Sequence, residues 1–254
     1  MSIITGANNG TLAPVNVINV NGLVIDQLAL YYDTGRTYSY SGTGSTWTDL
    51  SANSKNVTLY NAGGTTYSAS PPGPPTFSSS NGGYFVFNGT TNWGKFDQIT
   101  IGSAVTVSAW IQTTNNGGII SHCSGGPVNI AYQISSGKMY YAYYTSAWQA
   151  AIGATTVNDG KWKNCVWAKN GTNMITYING VQDSVFTLVG DVSGPLCCVG
   201  SSYGPCNSDS YGLGTDSYAS VFGGNLAVVM VHNKQLSATE VATNFNNQHF
   251  RFGL

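Results

Sequence analysis

Carboxylate pairs supply much of the general acid–base chemistry of enzymes, and this sequence holds few carboxylates of any kind. Its 254 residues include one glutamate, Glu240, and no two aspartates lie within four positions of each other. Glu240 ends the run Ser237-Ala-Thr-Glu240, whose spacing is that of a helix capping box. An aspartate pair could still converge in the fold, but the local sequence offers none. We therefore predict a protein without enzymatic activity.

Metal-binding residue types are equally sparse. The histidines His122, His232 and His249 are scattered, and His122 and Cys123, as neighbours on a strand, would face opposite ways. Zinc is therefore not predicted. Asp209 and Asp216 lie in a long segment rich in Gly, Ser, Asp and Tyr, where hard oxygen ligands suit calcium. The same two aspartates also fit ordinary Asx turns. Calcium is the one cofactor that the sequence allows us to name.

Aromatic residues divide into two groups by context. Four lie in strand patterns and are expected in the core: Trp47, Trp110, Trp162 and Trp167. Four others occupy loop-like or strand-end positions, where an exposed ring could stack on a sugar: Trp93, Trp148, Tyr203 and Tyr211. The second group is our candidate carbohydrate-binding set. Packing beneath long loops is the alternative for each of its members.

The cysteines bear on the compartment. There are five of them, Cys123, Cys165, Cys197, Cys198 and Cys206, and the first basic residue of the chain is Arg36. An odd count without the positive n-region of a signal peptide favours mostly free thiols made in a reducing cytoplasm. A disulfide among Cys197, Cys198 and Cys206 is the alternative.

Composition excludes several partners. Charged residues make up 7% of the chain, against roughly 25% in an average domain. No cluster of Lys and Arg is present, so a nucleic-acid partner is not expected. The apolar run 226–231 is far too short to span a bilayer, so membrane insertion is not expected either. A neutral surface rich in amides, hydroxyls and Tyr suits glycans or other proteins.

The elements that would position these residues are mostly strands. Val105–Gln112 alternates between apolar and polar residues, and Asn170-Gly171 and Asn179-Gly180 predict tight turns between three strands over 162–186. The capping box predicts one short helix that ends near Asn247. The sequence therefore predicts an all-β, antiparallel two-sheet sandwich over 28–254. Residues 1–27 form either a partly ordered leader or an arm that adds a strand to a neighbouring subunit.

Three stretches together resemble the laminin-G-like branch of the concanavalin A-like lectin/glucanase superfamily. They are Tyr84-Phe-Val-Phe-Asn-Gly89 with Val105-Thr-Val-Ser-Ala-Trp-Ile111, Asp159-Gly-Lys-Trp162 with Met174-Ile-Thr-Tyr-Ile-Asn-Gly-Val181, and the closing segment 222–241. The resemblance implies a jelly-roll sandwich, with calcium held near the loop rim in some members. Glycanases of this superfamily carry a Glu-x-Asp-x-(x)-Glu run on one strand, which this chain lacks.

Two finer features resemble versions of this domain in tailed bacteriophages. One is Tyr32-Asp33 followed by the segment 38–51, and the other is the ending Asn244-Phe-Asn-Asn with Arg251-Phe-Gly-Leu254. This resemblance implies a structural protein at the virion surface, such as a capsid decoration or a tail component, made in the host cytoplasm. Its partners would be other virion proteins and copies of itself. The alternative is a lectin-like module that binds cell-surface glycans, with or without calcium.

Overall fold

The computed structural model describes residues 22–61, 74–122, 130–202 and 221–254. Within these ranges the chain forms two antiparallel sheets and one α-helix, which confirms the predicted sandwich. The strands are β1 (Leu28–Asp33), β2 (Thr46–Trp47), β3 (Val57–Asn61), β4 (Thr76–Ser78), β5 (Tyr84–Asn88), β6 (Asn92–Ile101), β7 (Ala104–Gln112), β8 (Gly117–Ser121), β9 (Ile130–Ser135), β10 (Lys138–Tyr144), β11 (Trp148–Thr156), β12 (Trp162–Asn170), β13 (Asn173–Ile178), β14 (Val181–Thr187), β15 (Gly194–Val199) and β16 (Gly223–His232).

The two sheets differ in how they are built. Sheet I has the order β14-β13-β12-β7-β16-β5-β4, and β1 also pairs with β16. Sheet II has the order β11-β10-β9-β8-β15-β6-β3-β2. Consecutive strands are neighbours in β12–β14 and in β8–β11, whereas the centre of each sheet joins strands distant in sequence. Each meander therefore forms one edge of its sheet, β12–β14 in sheet I and β8–β11 in sheet II. The two edges lie side by side, because β14 contacts β11.

The core lies between the sheets and follows from strand alternation. Val105, Val107, Ala109 and Ile111 of β7 all point into it and are fully buried. The tryptophans expected in the core are buried as well, which confirms that part of the sequence analysis: Trp47, Trp110, Trp162 and Trp167.

A second apolar layer covers the outer face of sheet I. Trp110 points away from the main core and stacks on Phe252, with ring centroids 4.1 Å apart. Its Nε1 donates a hydrogen bond to Oε1 of Gln248 at 2.6 Å. Phe252 belongs to the 3-10 helix His249–Phe252, and Gln248 directly precedes it. Phe245 of helix α1 (Ala238–Asn246) also stacks on Trp110, with ring centroids 5.7 Å apart. The C-terminal segment therefore covers sheet I.

Helix α1 begins as its sequence predicts. The Ser237 hydroxyl accepts from the backbone N–H of Glu240, and the Glu240 side chain accepts from the backbone N–H of Ser237, so both bonds of the capping box are present. No helix in the described part of the chain has the length and apolar character needed to cross a membrane.

The two predicted turns of the β12–β14 meander have different outcomes. Asn179 and Gly180 form a two-residue loop, and both have positive φ, as a type I′ turn requires. The earlier loop is not Asn170-Gly171, because Asn170 pairs with Asn173 as the last residue of β12. The loop is Gly171-Thr172, and glycine supplies the positive φ at its first position. The predicted turn was therefore wrong by one residue.

Residues 22–27, the end of the segment expected to form an arm, pack on their own domain. Val24 N–H donates to Oδ1 of Asn244 at 2.8 Å, and Nε2 of His232 lies 2.9 Å from the Val24 carbonyl oxygen. Lys234 also pairs with Asp26 at 2.8 Å. Residues 1–21 lie outside the described residues, so the strand-adding arm stays a prediction for them.

The described cysteines are in two states. Cys165 and Cys198 are free and buried, whereas Cys197 is disulfide-bonded. Burial raises the pKa of the Cys165 thiol well above its ordinary value, so this side chain stays protonated at neutral pH. Cys123 and Cys206 lie outside the described residues.

Candidate functional site

The structure separates the two tryptophans proposed for sugar stacking. Trp148 begins β11 and is 46% exposed. Trp93 lies inside β6, is 4% exposed, and stacks on Tyr60 with ring centroids 4.3 Å apart. Because Trp93 belongs to the core cluster, it presents no exposed ring to a sugar, and its assignment to the binding set is corrected.

The remaining predicted site residues fall in segments that the structure does not describe. Tyr203, Tyr211, Asp209 and Asp216 all lie outside the described residues, so their roles in sugar or calcium binding stay predictions. Within the described ranges there is no group of three or more His, Cys, Asp or Glu side chains placed to hold a metal ion.

Trp148 belongs to a patch on the outer face of the β10–β11 hairpin, at the edge of sheet II. Met139, Tyr141 and Tyr143 of β10 point into the core, so the alternate residues Tyr140, Ala142 and Tyr144 point outward. Their partners on β11 are Ile152, Ala150 and Trp148, respectively. These six residues form three cross-strand rows, which we call the hairpin face.

The hairpin face is apolar, and its exposure increases towards β11. Trp148 and Ile152 are 46% and 49% exposed, and Ala150 between them is exposed too. On β10, Tyr140 and Tyr144 are half-buried, and Ala142 between them is only 7% exposed. Large apolar side chains this accessible on neighbouring positions typically mark a binding surface.

The indole of Trp148 is held by an aromatic contact. It packs edge-to-face against Tyr144, with ring centroids 5.4 Å apart and an interplanar angle of 69°. Such pairs contribute about 0.5–1.5 kcal/mol beyond the area they bury. The contact restricts the ring before any ligand arrives, which lowers the entropic cost of binding.

Tyrosines beneath the hairpin face make its support rigid. Tyr141 stacks on Tyr143 with centroids 5.2 Å apart, and the Tyr143 hydroxyl accepts a hydrogen bond from Val189 N–H at 2.9 Å. Burial raises the pKa of Tyr132 and of Tyr141 well above the ordinary phenol value. These phenols therefore stay neutral, and the support carries no charge near physiological pH.

The far end of β11 is fixed by Asp183 of β14. Between the pairs Tyr140–Ile152 and Lys138–Thr156, β11 has two more residues than β10. The extra residues turn their N–H groups outward, and Asp183 accepts from Ala154 N–H and from Thr155 N–H, both at 3.0 Å. Burial alone would raise the pKa of Asp183, but hydrogen bonds from Thr155, Ala154 and Ser184 lower it below its ordinary value.

Asp183 can reach β11 because it is a bulge residue. Thr176 pairs with Ser184 and Tyr177 with Gln182, so Asp183 has no register partner on β13, although its carboxylate accepts from the Thr176 hydroxyl at 3.2 Å. Gly153 makes the approach possible, because a Cβ at that position would lie 2.7 Å from a carboxylate oxygen of Asp183. The Asp183 contact therefore joins the edges of the two sheets beside the hairpin face.

Charges are scarce around this face. Lys138 is the only charged residue in β9, β10 and β11, all of which are described in full. It points outward one row beyond Tyr140 and Ile152, so those side chains lie between it and the Ala142–Ala150 row. The rows themselves contain no ionisable acid or amine.

Sequence reasoning found Trp148 but missed Tyr140, Tyr144 and Ile152. The run Met139-Tyr-Tyr-Ala-Tyr-Tyr144 is tyrosine-rich on both faces of its strand, so its pattern does not tell which tyrosines point outward. The signal that separates them is the pairing with β11, whose outward positions hold Trp148 and Ile152. That pairing is a property of the fold.

The described carboxylates with buried oxygens hold structure together. Asp49 accepts from Tyr31 N–H at 2.9 Å and from Lys55 N–H at 2.9 Å. Asp33 pairs with Arg251 and accepts from the Tyr31 hydroxyl at 3.0 Å. Hydrogen bonds from Lys234 and Ser237 lower the pKa of Glu240 to about 2.

Solved structures with the same fold include carbohydrate-related proteins. Domain 4 of an extracellular arabinanase from Geobacillus stearothermophilus, in complex with arabinotriose, matches with a TM-score of 0.61 and 16% identity, over 87% of this chain and 98% of that one. Botulinum neurotoxin type C, described as entering cells through two ganglioside molecules, matches with a TM-score of 0.56 and 12% identity, over 87% of this chain and 51% of that one. Trypanosoma rangeli sialidase with the inhibitor DANA matches with a TM-score of 0.51 and 14% identity, over 91% of this chain and 35% of that one.

These likenesses are to the fold alone. This chain spans about half of the neurotoxin chain and about a third of the sialidase chain. No curated protein matches the sequence. A family model does match, over residues 79–242, which is more than half of the chain, and its description is the concanavalin A-like lectin/glucanases superfamily. The chain belongs to that superfamily.

Proposed function

We propose that this chain is a non-catalytic, lectin-like module that binds a glycan on the hairpin face. The observation that carries the proposal is the exposed aromatic and apolar surface formed by Trp148, Tyr144, Tyr140 and Ile152. It lies on sheet II, whereas helix α1 and the C-terminal 3-10 helix cover sheet I.

The chemistry of the hairpin face suits a sugar. One side of a sugar ring is a sheet of C–H groups that packs on an aromatic surface, and its hydroxyls need polar partners at the rim. Trp148 and Tyr144 supply the aromatic surface. The hydroxyls of Tyr140 and Tyr144, on the same rows, supply polar groups for the sugar hydroxyls. The neighbouring strand adds Gln133, the cross-strand partner of Tyr140.

Fold likeness supports the same class of ligand. The arabinanase domain was solved with arabinotriose, and the neurotoxin is described as interacting with gangliosides. A sandwich of this architecture is therefore compatible with a carbohydrate ligand, although each of those matches is below 25% identity.

The non-catalytic part of the proposal follows from the carboxylates. Hydrolysis of a glycosidic bond normally uses an acid and a second carboxylate on either side of the bond. Glu240 caps helix α1 and, with a pKa of about 2, is ionised at neutral pH and cannot act as a general acid. Asp33, Asp49 and Asp183 accept hydrogen bonds from backbone and side-chain donors of the fold.

A glycan array followed by calorimetry on the best-binding glycan tests this function. We expect Trp148→Ala to weaken binding by about tenfold or more, because it removes the most exposed ring of the patch. Tyr38→Ala is the matched control, since Tyr38 is a strongly exposed aromatic residue away from β10 and β11, and it should leave the affinity unchanged. A wild-type protein that binds no glycan, or a Trp148→Ala variant that binds as well as wild type, would contradict the proposal.

A second candidate function is a structural role at a virion surface, through contacts with other virion proteins or with copies of this chain. The observation that favours it is the ion pair between Arg251 and Asp33. This pair joins the two segments whose sequences resemble domains of tailed bacteriophages, so in this chain they form one structural unit. Electron microscopy of the assembled particle tests this role. Density for the sandwich on the particle surface would support it, and a monomer that never associates with particles would contradict it.

A further inference from the structure

We infer that the hairpin face accepts the terminal residue of an uncharged glycan, held over Ala150 between Trp148 and Ile152, with the rest of the chain leaving across the β11 edge of sheet II. This inference rests on the glycan-binding function proposed above. Beyond that function, it specifies that the glycan is uncharged and that the site recognises its terminal residue.

The side chains of the three rows differ in size along β11. Trp148 and Ile152 lie four residues apart on one strand and on the same face, which places their Cα atoms roughly 13 Å apart. Between them is Ala150, whose methyl group is the smallest side chain of the strand's outer face. Two large side chains on either side of a small one form a notch, and its width suits a single six-membered ring with contacts on both sides.

The notch is closed at its inner end. The row that forms its floor continues from Ala150 through Ala142 of β10 to Ala131 of β9. Exposure decreases along this row, because Ala150 is exposed, Ala142 is 7% exposed and Ala131 is 1% exposed. A guest can therefore enter from the β11 edge but cannot continue across the sheet.

A site open at one end selects the end of a chain. An internal unit of a polysaccharide has a neighbour on both sides, so it would need an exit at β9, where the row is buried. A terminal unit has one neighbour, which can leave over β11, the edge strand of sheet II.

Charged side chains near the notch are already separated from it or bonded. Lys138 is separated from the notch by the Tyr140–Ile152 row, and the nearby carboxylate of Asp183 is already bonded to the N–H groups of Ala154 and Thr155. An acidic sugar placed over Ala150 would lose hydration without gaining an ion pair. A neutral sugar loses less hydration free energy, and its hydroxyls can bond to the phenol hydroxyls and to the amide of Gln133 at the rim.

The ligand series that tests this inference varies the end of the glycan and its length. Neutral oligosaccharides on the array are compared with the same glycans capped by sialic acid, and linear arabino-, malto- and cello-oligosaccharides of two to six units are titrated by calorimetry. We expect capping to weaken binding at least tenfold, and affinity to stop rising after two or three units. Capped glycans that bind as well as uncapped ones, or affinity that rises steadily to six units, would overturn the inference.

Variants at one position separate the notch from general stability. Ala150→Val should fill the notch and weaken binding at least tenfold, whereas Ala150→Ser keeps its size and should bind like wild type. Lys138→Gln should leave the affinity for neutral glycans unchanged, and so should a change from 50 to 500 mM NaCl. Urea midpoints of all three variants show whether they are folded. Binding that falls with salt or with Lys138→Gln would contradict an uncharged ligand, whereas binding of no glycan at all would contradict the proposed function instead.

Discussion

Lys169 is a buried cation that pairs with one carboxylate. Its side chain is fully buried near one end of the sandwich, and its Nζ donates to the Ser103 carbonyl at 2.8 Å and to Asp191 at 2.5 Å. Asp191 is about one-third exposed, so water screens part of the pair. A buried ammonium without its carboxylate is far more costly than an apolar side chain of the same length.

We therefore predict that Asp191→Ala destabilises the protein more than Lys169→Met. Asp191→Ala leaves the ammonium buried with one carbonyl partner, at a cost of about 2–4 kcal/mol, below that of a fully buried pair because Asp191 is partly exposed. Lys169→Met removes the charge and keeps most of the apolar stem, so about 1–2 kcal/mol is expected. Urea unfolding of both variants and of the double variant measures this. Equal losses for the two single variants would show that the buried charge is not the dominant cost.

At the scale of elements, β11 is the strand on which the proposed site depends, and only one strand pairs with it. It is an edge strand, so its regular hydrogen bonds come from β10 alone. Its irregular end has a second attachment, since Asp183 accepts from two of its N–H groups. The edges of the two sheets are therefore joined by the Asp183 carboxylate, together with the Ser184 hydroxyl, which also accepts from Ala154 N–H at 3.1 Å.

Asp183→Asn should loosen β11 with little effect on the rest of the fold. An amide offers one acceptor oxygen where the carboxylate offers two, so the N–H groups of Ala154 and Thr155 lose one of their two carboxylate acceptors, at a cost of about 1–3 kcal/mol. The Ser184 hydroxyl still accepts from Ala154 N–H at 3.1 Å. We expect faster hydrogen exchange at Ala154 and Thr155, and weaker glycan binding. Asp97→Asn is the matched control, because Asp97 is exposed on β6, and it should change neither property.

The same contact predicts a direction of pH dependence. The pKa of Asp183 is lower in the folded protein than the ordinary carboxyl value near 4, so the unfolded state takes up its proton first as pH falls. The stabilisation from Asp183 is complete above about pH 4 and is lost below it, as the pH falls through the folded-state pKa. Asp183→Asn should therefore reduce the loss of unfolding free energy as the pH falls below about 4, measured by urea unfolding at several pH values. An unchanged pH dependence would assign the acid sensitivity to other carboxylates such as Glu240.

For the whole molecule, the sequence predicts best what local chemistry determines. The capping box at Ser237 and the turn at Asn179-Gly180 are formed by residues a few positions apart, and both were confirmed. The loop after β12 was misplaced by one residue because Asn170-Gly171 and Gly171-Thr172 both offer a glycine for the positive φ. The pairing of β12 with β13, which extends to Asn170 and Asn173, places the loop at Gly171-Thr172.

Features that depend on distant pairing were the ones missed. Trp93 was expected at a loop-like or strand-end position with a ring free to stack on a sugar, but it lies in β6 between β3 and β15 and is buried with Tyr60. The alternation of β7 indicated that Trp110 would be covered, but nothing local named Phe252 as its partner. The hairpin face itself required the register of β10 with β11, because tyrosines occur on both faces of β10.

The C-terminal contact with β1 is a further long-range case, and it closes the molecule. Arg251 and Asp33 are 218 residues apart in sequence, and both side chains are largely buried. The same guanidinium donates from Nε to the Asn81 carbonyl at 2.6 Å and from Nη2 to the Gly83 carbonyl. One planar fork thus holds the C-terminal segment, β1 and the segment before β5 together, a geometry that a lysine cannot reproduce.

A double-mutant cycle with Arg251→Met and Asp33→Asn measures how much this closure contributes. We expect each single variant to cost about 2–4 kcal/mol and the pair to couple by about 1–3 kcal/mol, because both side chains are largely buried. Asp33 keeps its contact with Arg36 at 3.3 Å when Arg251 is replaced, which limits the loss in that variant. The control cycle uses Lys163→Met and Asp159→Asn, an ion pair with an i,i+4 spacing on a more exposed part of the surface, where the coupling should stay below about 1 kcal/mol. Equal coupling in the two cycles would mean that burial adds nothing to the Arg251–Asp33 pair. In that case Phe252, packed on Trp110 and Trp162, would be what holds the C-terminal segment on sheet I.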